Sequence, residues 1–512
     1  MLLMQYPNPL LIIAVLAFSI PFCEADPINL GDRRELLVDD YLIESLDGEI
    51  SLKLNHPTAK EIVFTHDAPW EGSGSGYHSI FKDGDKYRMY YKCYQLSVQE
   101  GELAPSDARF TCYAESDDGI HWTRPSLGLV EFPEGSGDTN NNIVIGRAKK
   151  DWMGQAELDG AHSAVFKDAN PNCPPDSRYK AVLRSSGEDE GLLILKSPDG
   201  IHWSMLSERP VITDGRFDSQ NLAFWDPIRK EYRAYWRIYP NEIRNIRTAT
   251  SQDMLTWENQ TDLTYPGASP EQLYTNQILP YYRAPHIFIG FPSRYIDRGW
   301  SHSMEQLPEL SHRKMRSSAS ERYGTAITEA LFMSSRDATT FKRWPEAFLR
   351  PGIERQNQWK YGDNYLAWQM VETASSMNGA PNEISLYASE DYWTGNSNQL
   401  RRYTMRLDGF VSASAPMSGG SFNTKPVTFD GSGLFLNFSS SAAGGIKIEI
   451  RNEGGTAIPG YALADCEVVF GDAIDRPVSW TAKGTDISEL KGKPIQLHIS
   501  LQDADLFAFQ FR

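Results

Sequence analysis

Cysteine is scarce, with five in 512 residues, and apart from Cys23 they are scattered at 93, 112, 173 and 466. That spacing fits no zinc pattern, so a finger-type metal site is excluded, and no cofactor is implied. Cys93 and Cys112 fall on two strands that the pattern below makes neighbours, compatible with a disulfide or with two buried thiols. Positive charge is also short: 50 Lys and Arg face 67 Asp and Glu, a formal net charge of −17. A polyanion would be repelled overall, which disfavours nucleic-acid binding. Long apolar runs are missing as well. The one that occurs, from Leu10 to Ile20, is too short to span a bilayer comfortably. With Cys23-Glu24-Ala25 before Asp26 it reads instead as an export signal over residues 1–25. The expectation is a secreted or periplasmic protein without a membrane span.

Amphipathic helical patterns are nearly absent too, whereas aromatic residues are plentiful at 12%, including 13 Trp and 24 Tyr. Aromatics suit strands, and they also suit surfaces on which sugar rings stack. An internal repeat organises them. Ser116-Asp117-Asp118-Gly119-Ile120-His121-Trp122 returns as Ser197-Pro198-Asp199-Gly200-Ile201-His202-Trp203. Weaker copies begin at Ser251 and Ser335 and end on Trp257 and Phe341, and a degenerate fifth is Ser389-Glu390-Asp391. The chemistry is that of a hairpin turn, in which Asp binds following amides, Gly takes positive φ and the aromatic fills a gap between sheets. The motif is structural.

Alternating strand-like runs precede each copy, as in Tyr77–Lys82, Tyr87–Cys93 and Phe110–Glu115 of the first unit. Five such units describe an all-β, five-bladed β-propeller. The early strand 36–43 is expected to complete the last blade and lock the ring. Pro, Gly and Ser thicken from Ser412 to Ser421, and about 90 residues of short strands then suggest a small C-terminal β-sandwich. The expected domains are thus a propeller over 26–412 and a sandwich over 413–512.

In a propeller, the residues just before each innermost strand ring the mouth of the central funnel. Here they are polar: Glu71, Tyr77 and His78; Asp159 and His162; Asp218, Gln220 and Asn221; Glu271, Tyr274 and Asn276; Asp363 and Asn364. Acids converging from several blades suit glycoside hydrolysis, which needs one protonated acid and one ionised carboxylate. The same positions also commonly cap turns. Unit four carries an insertion rich in cations, with Arg294, Arg298, His302, His312, Arg313, Lys314, Arg316 and Arg322. It suits a carboxylated or sulfated sugar, or else forms a solvated loop.

Tyr113-Ala114-Glu115-Ser116-Asp117-Asp118-Gly119-Ile120-His121-Trp122 and Phe224-Trp225-Asp226-Pro227 resemble propellers of the glycoside hydrolase family 32 and 43 type. The run Leu37-Val38-Asp39-Asp40-Tyr41-Leu42-Ile43, then Asn141-Asn142-Ile143-Val144, Leu407-Asp408-Gly409-Phe410-Val411 and Asp503-Ala504-Asp505-Leu506, resembles exported bacterial family-32-like proteins over residues 31–512. The nucleophile, Arg-Asp-Pro and Glu-Cys motifs of family 32 enzymes are not in their expected places, so fructan hydrolysis is not implied. By position, the resemblance makes Glu71 the nucleophile or base, Asp159 the orienting acid and Asp218 the general acid. His78, His162, Asn221, Glu271, Tyr274, Asn276 and Asp363 are then sugar-binding candidates. The leading expectation is a glycosidase acting on a poly- or oligosaccharide by two carboxylates. Alternatives are a non-catalytic carbohydrate-binding propeller and a polysaccharide lyase using His78 or His162 with a tyrosine.

Overall fold

The computed structural model describes residues 26–105, 109–146, 157–186 and 190–512; the expected export signal lies outside them. Five antiparallel blades follow one another. Blade 1 consists of Gly76–Asp83, Lys86–Cys93, Phe110–Ser116 and Trp122–Thr123, with Ile143–Ile145 added beside the third strand. Blade 2 is Glu157–Lys167, Tyr179–Ser186, Gly191–Ser197 and Ser204–Met205, and blade 3 is Leu222–Asp226, Glu231–Ile238, Asn245–Ser251 and Glu258–Asp262. Blade 4 is Leu279–Tyr281, Ala284–Gly290, Met333–Ser335 and Lys342–Arg343. Blade 5 takes Val371–Thr373, Glu383–Glu390 and Gln399–Arg406, and its outer strand, Thr58–Thr65, comes from the N-terminal part of the chain. A disulfide joins Cys93 to Cys112 across the second and third strands of blade 1.

Thr58–Thr65 therefore closes the ring, and the expected closing strand does not. Arg34–Leu36 pairs with the end of Ile495–Phe511, and Ile43–Gly48 pairs with Gly420–Thr424. The reason is burial. Leu36, Leu37 and Leu42 are at most 2% exposed and need a core on their inner side, whereas Thr58, Ala59 and Glu61 sit exposed as suits an outer edge. The C-terminal sandwich is accordingly built from both ends of the chain, its N-terminal strands lying within what the sequence assigns to the propeller. Its longest strands, Leu434–Asn452 and Ile495–Phe511, pair along most of their length around Phe438, Ile448, Trp480 and Ile499.

The repeated turns have one geometry. In blade 1 the Ser116 hydroxyl accepts from the Gly119 amide at 2.9 Å, and Asp118 Oδ1 accepts from the Ile120 and His121 amides at 2.8 Å each. Ser197 with Asp199, Ser251 with Asp253, and Ser335 with Asp337 repeat the arrangement. Three of the four turns are then grasped by a tyrosine of the preceding blade: Tyr387 donates to the Gly119 carbonyl, Tyr90 to Gly200 and Tyr235 to Ala338. Ser389-Glu390-Asp391 is not a fifth copy. It ends the second strand of blade 5 on the opposite face, and the Ser389 hydroxyl donates to the Gly362 carbonyl.

The innermost strands of blades 4 and 5 are shorter than their alternating sequences predict. Gln277, Asn364 and Gln369 take left-handed φ of 46°, 62° and 72°, which interrupts regular pairing. The glutamines act on the axis instead. Gln277 Nε2 donates to Gln220 Oε1 and the Leu366 carbonyl, while Gln220 Nε2 reaches the Tyr77 and Ser163 carbonyls. These bonds tie the inner strands together across the middle of the ring.

The insertion of blade 4 is not a solvated loop. It forms a hairpin, Ser293–Asp297 with Ala326–Ala330, carrying helices His302–Gln306, Leu310–Ala319 and Arg322–Thr325. Arg313 and Arg316 are buried at 3% and 0% exposure, and Arg313 Nη2 donates to the Gln358 carbonyl. Long arginine stems pack well along apolar surface, which is how this basic stretch folds inward.

Candidate functional site

The cavity at the funnel mouth, of about 210 Å³, is built by the first residues of the inner strands and the ends of the second strands. In blade 1 the ladder slips between Gly76 and Ser79, and in blade 2 between Asp159 and Ala164. Such bulges re-aim side chains. The first sets Tyr77 at φ 50°, a left-handed conformation that costs a non-glycine residue roughly 1–3 kcal/mol. The second folds Asp159 and His162 onto one side. Asp159 Oδ1 accepts from the Ala161 amide at 3.0 Å, and Oδ2 lies 2.9 Å from His162 Nδ1. With Nδ1 bound to a carboxylate, the proton belongs there and Nε2 carries the free lone pair.

Cations meet these residues at matching positions of three blades. Met89-Tyr90-Tyr91-Lys92, Ala181-Val182-Leu183-Arg184 and Ala234-Tyr235-Trp236-Arg237 end their second strands with two large apolar or aromatic residues and a base. Lys92 stands opposite Gly76, Arg184 opposite Asp159, and Arg237 donates to Asp218. Arg184 and Arg109 each hold a guanidinium nitrogen 3.7 Å from Asp159 Oδ2. Lys92 is only 6% exposed, and among the described residues its ammonium has no hydrogen bond or ion pair. It lies 4.7, 5.0 and 5.6 Å from the ring centres of Tyr77, Tyr94 and Tyr392. Burial lowers it to about 8, partly offset by Asp159.

Both carboxylates of the cavity are held ionised. Burial alone would raise Asp159, but His162 and Arg109 bring it well below the ordinary carboxylate range. Burial likewise opposes ionisation of Asp218, and Arg237, His162 and Arg184 outweigh it. The pair therefore does not supply one protonated and one ionised carboxyl, which departs from the two-carboxylate expectation. Tyr77 is kept as a neutral phenol by burial and by Tyr274 and Tyr392, against the pull of Arg237.

The remaining expected residues divide sharply. Tyr274 lines the cavity, and its hydroxyl accepts from Tyr361 at 2.9 Å. Glu71 does not line it. Its carboxylate takes a two-pronged bond from Arg124 at 2.9 Å, and accepts from the Tyr91 hydroxyl and the Ala68 amide. A carboxylate so occupied is a structural lock, not a nucleophile. His78 lies beneath the cavity, Nε2 to Nε2 with His66 at 3.0 Å, and burial holds it well below the ordinary histidine value. Asn221 binds the Phe217 and Ser219 carbonyls, and Asn276 accepts from the Ile278 amide, so both shape turns. Glu271 is consumed by Arg294 at 2.7 Å and Arg343 at 2.9 Å. Asp363 is wholly buried behind the aromatic wall, where its Oδ1 accepts from the Tyr392 amide. Burial raises it to about 8, although Lys360 and Arg316 pull the other way.

Lys92, Arg109, Arg184, Tyr94 and Tyr392 also line the cavity but do not stand at inner-strand starts. The signal that finds Lys92 and Arg184, together with Arg237, is the recurrent base near the end of the second strand. None of the insertion's cations lies on the cavity surface. The insertion supplies Tyr323 to that surface and stacks Arg316 on the inner side of Trp393, 4.6 Å from the ring centre.

No family model matches the chain, and no curated protein matches it. Its fold is similar to several solved structures. One is an N-acetylgalactosamine deacetylase from F. plautii in complex with blood group B trisaccharide, at 11% identity and TM-score 0.42, covering 69% of this chain and 95% of that one. Another is a glycoside hydrolase family 43 arabinoxylan arabinofuranohydrolase from Bacillus subtilis in complex with cellotetraose, at 12% identity and TM-score 0.38, covering 89% and 99%. A third is an endo-arabinase from Bacteroides thetaiotaomicron, at 10% identity and TM-score 0.39, covering 68% and 98%. At such values the chemistry has to be read from this chain's own residues.

Proposed function

We propose that the protein is an exported carbohydrate-active enzyme, glycoside hydrolase-like in architecture, which binds an acidic oligo- or polysaccharide at the funnel mouth and cleaves its glycosidic bonds. The observation that carries this reading is the cavity itself, where Asp159, His162 and Asp218 meet three cations and a wall of tyrosines. Tyrosine rings offer stacking faces to sugar C–H bonds, and a surplus of cations selects a carboxylated or sulfated ring. Asp218, more than half exposed at the mouth, is the carboxylate best placed to meet a ligand, and Asp159 orients His162. Export rests on the apolar run of the first 25 residues and agrees with the disulfide in blade 1. A panel of neutral, carboxylated and sulfated glycans tests the reading, scored for thermal stabilisation and for release of shorter products. Acidic glycans are expected to stabilise the wild type and be shortened. Stabilisation without any product would make the protein a carbohydrate-binding propeller. Selective cleavage of neutral glycans would refute the acidic preference.

A further inference from the structure

Lys92, Arg109, Arg184, His162 and the strained Tyr77 all line the cavity, and together they specify a reaction and not only a ligand. Resting on the reading above, we infer that the cavity takes a uronate residue and breaks the bond at its C4 oxygen by β-elimination, with His162 as base and Tyr77 as proton donor.

The reaction makes three demands. The proton at C5 becomes removable only when the adjacent carboxylate is neutralised, because the carbanion formed there delocalises onto that group. Lys92 meets this demand. Among the described residues it is a nearly buried ammonium with no anionic partner and no hydrogen bond, its charge spread only over three tyrosine faces. Leaving an ammonium so placed is costly, and an incoming carboxylate recovers that cost. Arg109 and Arg184 flank it from the Asp159 side of the cavity.

The second demand is a base whose lone pair faces the sugar. His162 Nδ1 is held by Asp159, and its Nε2 makes no hydrogen bond among the described residues. The third is a donor for the departing oxygen. The Tyr77 ring centre lies 5.6 Å from that of His162, its ring stacks on Tyr365, and its hydroxyl has no hydrogen-bond partner among the described residues. The left-handed φ at Tyr77 is local strain held by the surrounding packing, as happens where a side chain must be aimed.

The step balances without a co-reactant. His162 takes the C5 proton, and the C5–H electrons form the C4=C5 double bond. The C4–O bond breaks, and its oxygen leaves with the Tyr77 phenol proton. The proton on His162 returns to solvent and Tyr77 is reprotonated, so no water is consumed and nothing is oxidised. Hydrolysis, by contrast, would call on a protonated carboxyl, and Asp159 and Asp218 are each bound to cations.

The test incubates the full-length protein with polyuronates, with mixed uronate and amino-sugar polymers, and with the same polymers after reduction of their carboxyl groups. Products are followed by ultraviolet absorbance and by mass. Expected are unsaturated products from the uronate polymers only. His162→Gln and Tyr77→Phe should each reduce kcat by roughly 10²- to 10⁴-fold, with circular dichroism and melting unchanged, while Lys92→Met both raises KM and lowers kcat. Shortened chains with saturated ends would overturn elimination and leave glycosidic cleavage standing. Acidic glycans that bind but are not cut would overturn both proposals of chemistry. Full activity in folded Tyr77→Phe or His162→Gln would overturn the assigned roles.

Discussion

A lysine ammonium enclosed by three tyrosine rings, as Lys92 is, stays charged only while the pH is below its lowered value of about 8. Below that value it attracts an anion; above it the attraction disappears. Affinity for an acidic oligosaccharide is therefore expected to fall as the pH rises through about 8, measured by calorimetric titration across that range. Lys92→Met should remove the pH dependence and weaken binding roughly tenfold or more, since bonds to charged groups contribute about 1.5–3 kcal/mol. At this scale the sequence was half legible. Asp159, His162, Asp218 and Tyr274 line the cavity because they begin or precede inner strands, and the same rule also picks Glu71 and Glu271, which do not line it. Whether a carboxylate faces a funnel or an arginine depends on partners far along the chain, such as Arg124 for Glu71 and Arg343 for Glu271. Position alone does not reveal that.

Among elements, the link that recurs is tyrosine to turn. Tyr90, Tyr235 and Tyr387 stand on second strands and donate to the turn of the next blade at 3.0, 2.9 and 2.6 Å. Each acceptor lies in a largely buried contact, so Tyr→Phe at any of the three should cost about 0.5–1.5 kcal/mol in denaturant unfolding, roughly additively because the sites are in different blades. The Ser-x-Asp turns that they grasp were readable directly, since Ser, Asp and Gly act through local bonds that sequence neighbours fix. The tyrosines were not, because their hydroxyls act across blades. The basic insertion illustrates the same divide: its composition was plain, but its folding as helices over blade 5, with Arg316 against Trp393, is a matter of packing.

For the whole molecule, the two ends of the chain meet in one sandwich, and a few buried charges fix it to the propeller. Glu35, fully buried, binds His286 at 3.1 Å and Arg336 at 2.8 Å, and Asp408 binds Arg283 at 2.8 Å and Arg34 at 3.2 Å. Burial opposes the charge of Glu35, but His286, Arg336 and Arg33 lower it from 4.5 to about 2. A depressed carboxylate contributes stability that is complete above its unfolded value and is lost as the pH falls through the folded one, here between about 4.5 and 2. Glu35→Gln removes the buried carboxylate from Arg33 and His286 and leaves Arg336 only Asp39, and should cost about 3–5 kcal/mol at neutral pH, read as a drop in melting temperature. Blade number and the C-terminal sandwich were legible from repeats and strand spacing, but which early strand closed the ring was not. Leu36–Leu42 and Thr58–Thr65 are both plausible strands, and only the competition for a buried core assigns them.

On the function proposed above, an acidic sugar is recognised at the funnel mouth through Lys92, Arg109 and Arg184. Calorimetric titration with one uronate oligosaccharide and its carboxyl-reduced neutral counterpart, in the wild type and in Lys92→Met, tests it most directly. The charged ligand is expected to bind the wild type at least roughly tenfold tighter, with Lys92→Met narrowing the difference. Equal affinity for the two ligands, or a charge preference that Lys92→Met leaves intact, would contradict it.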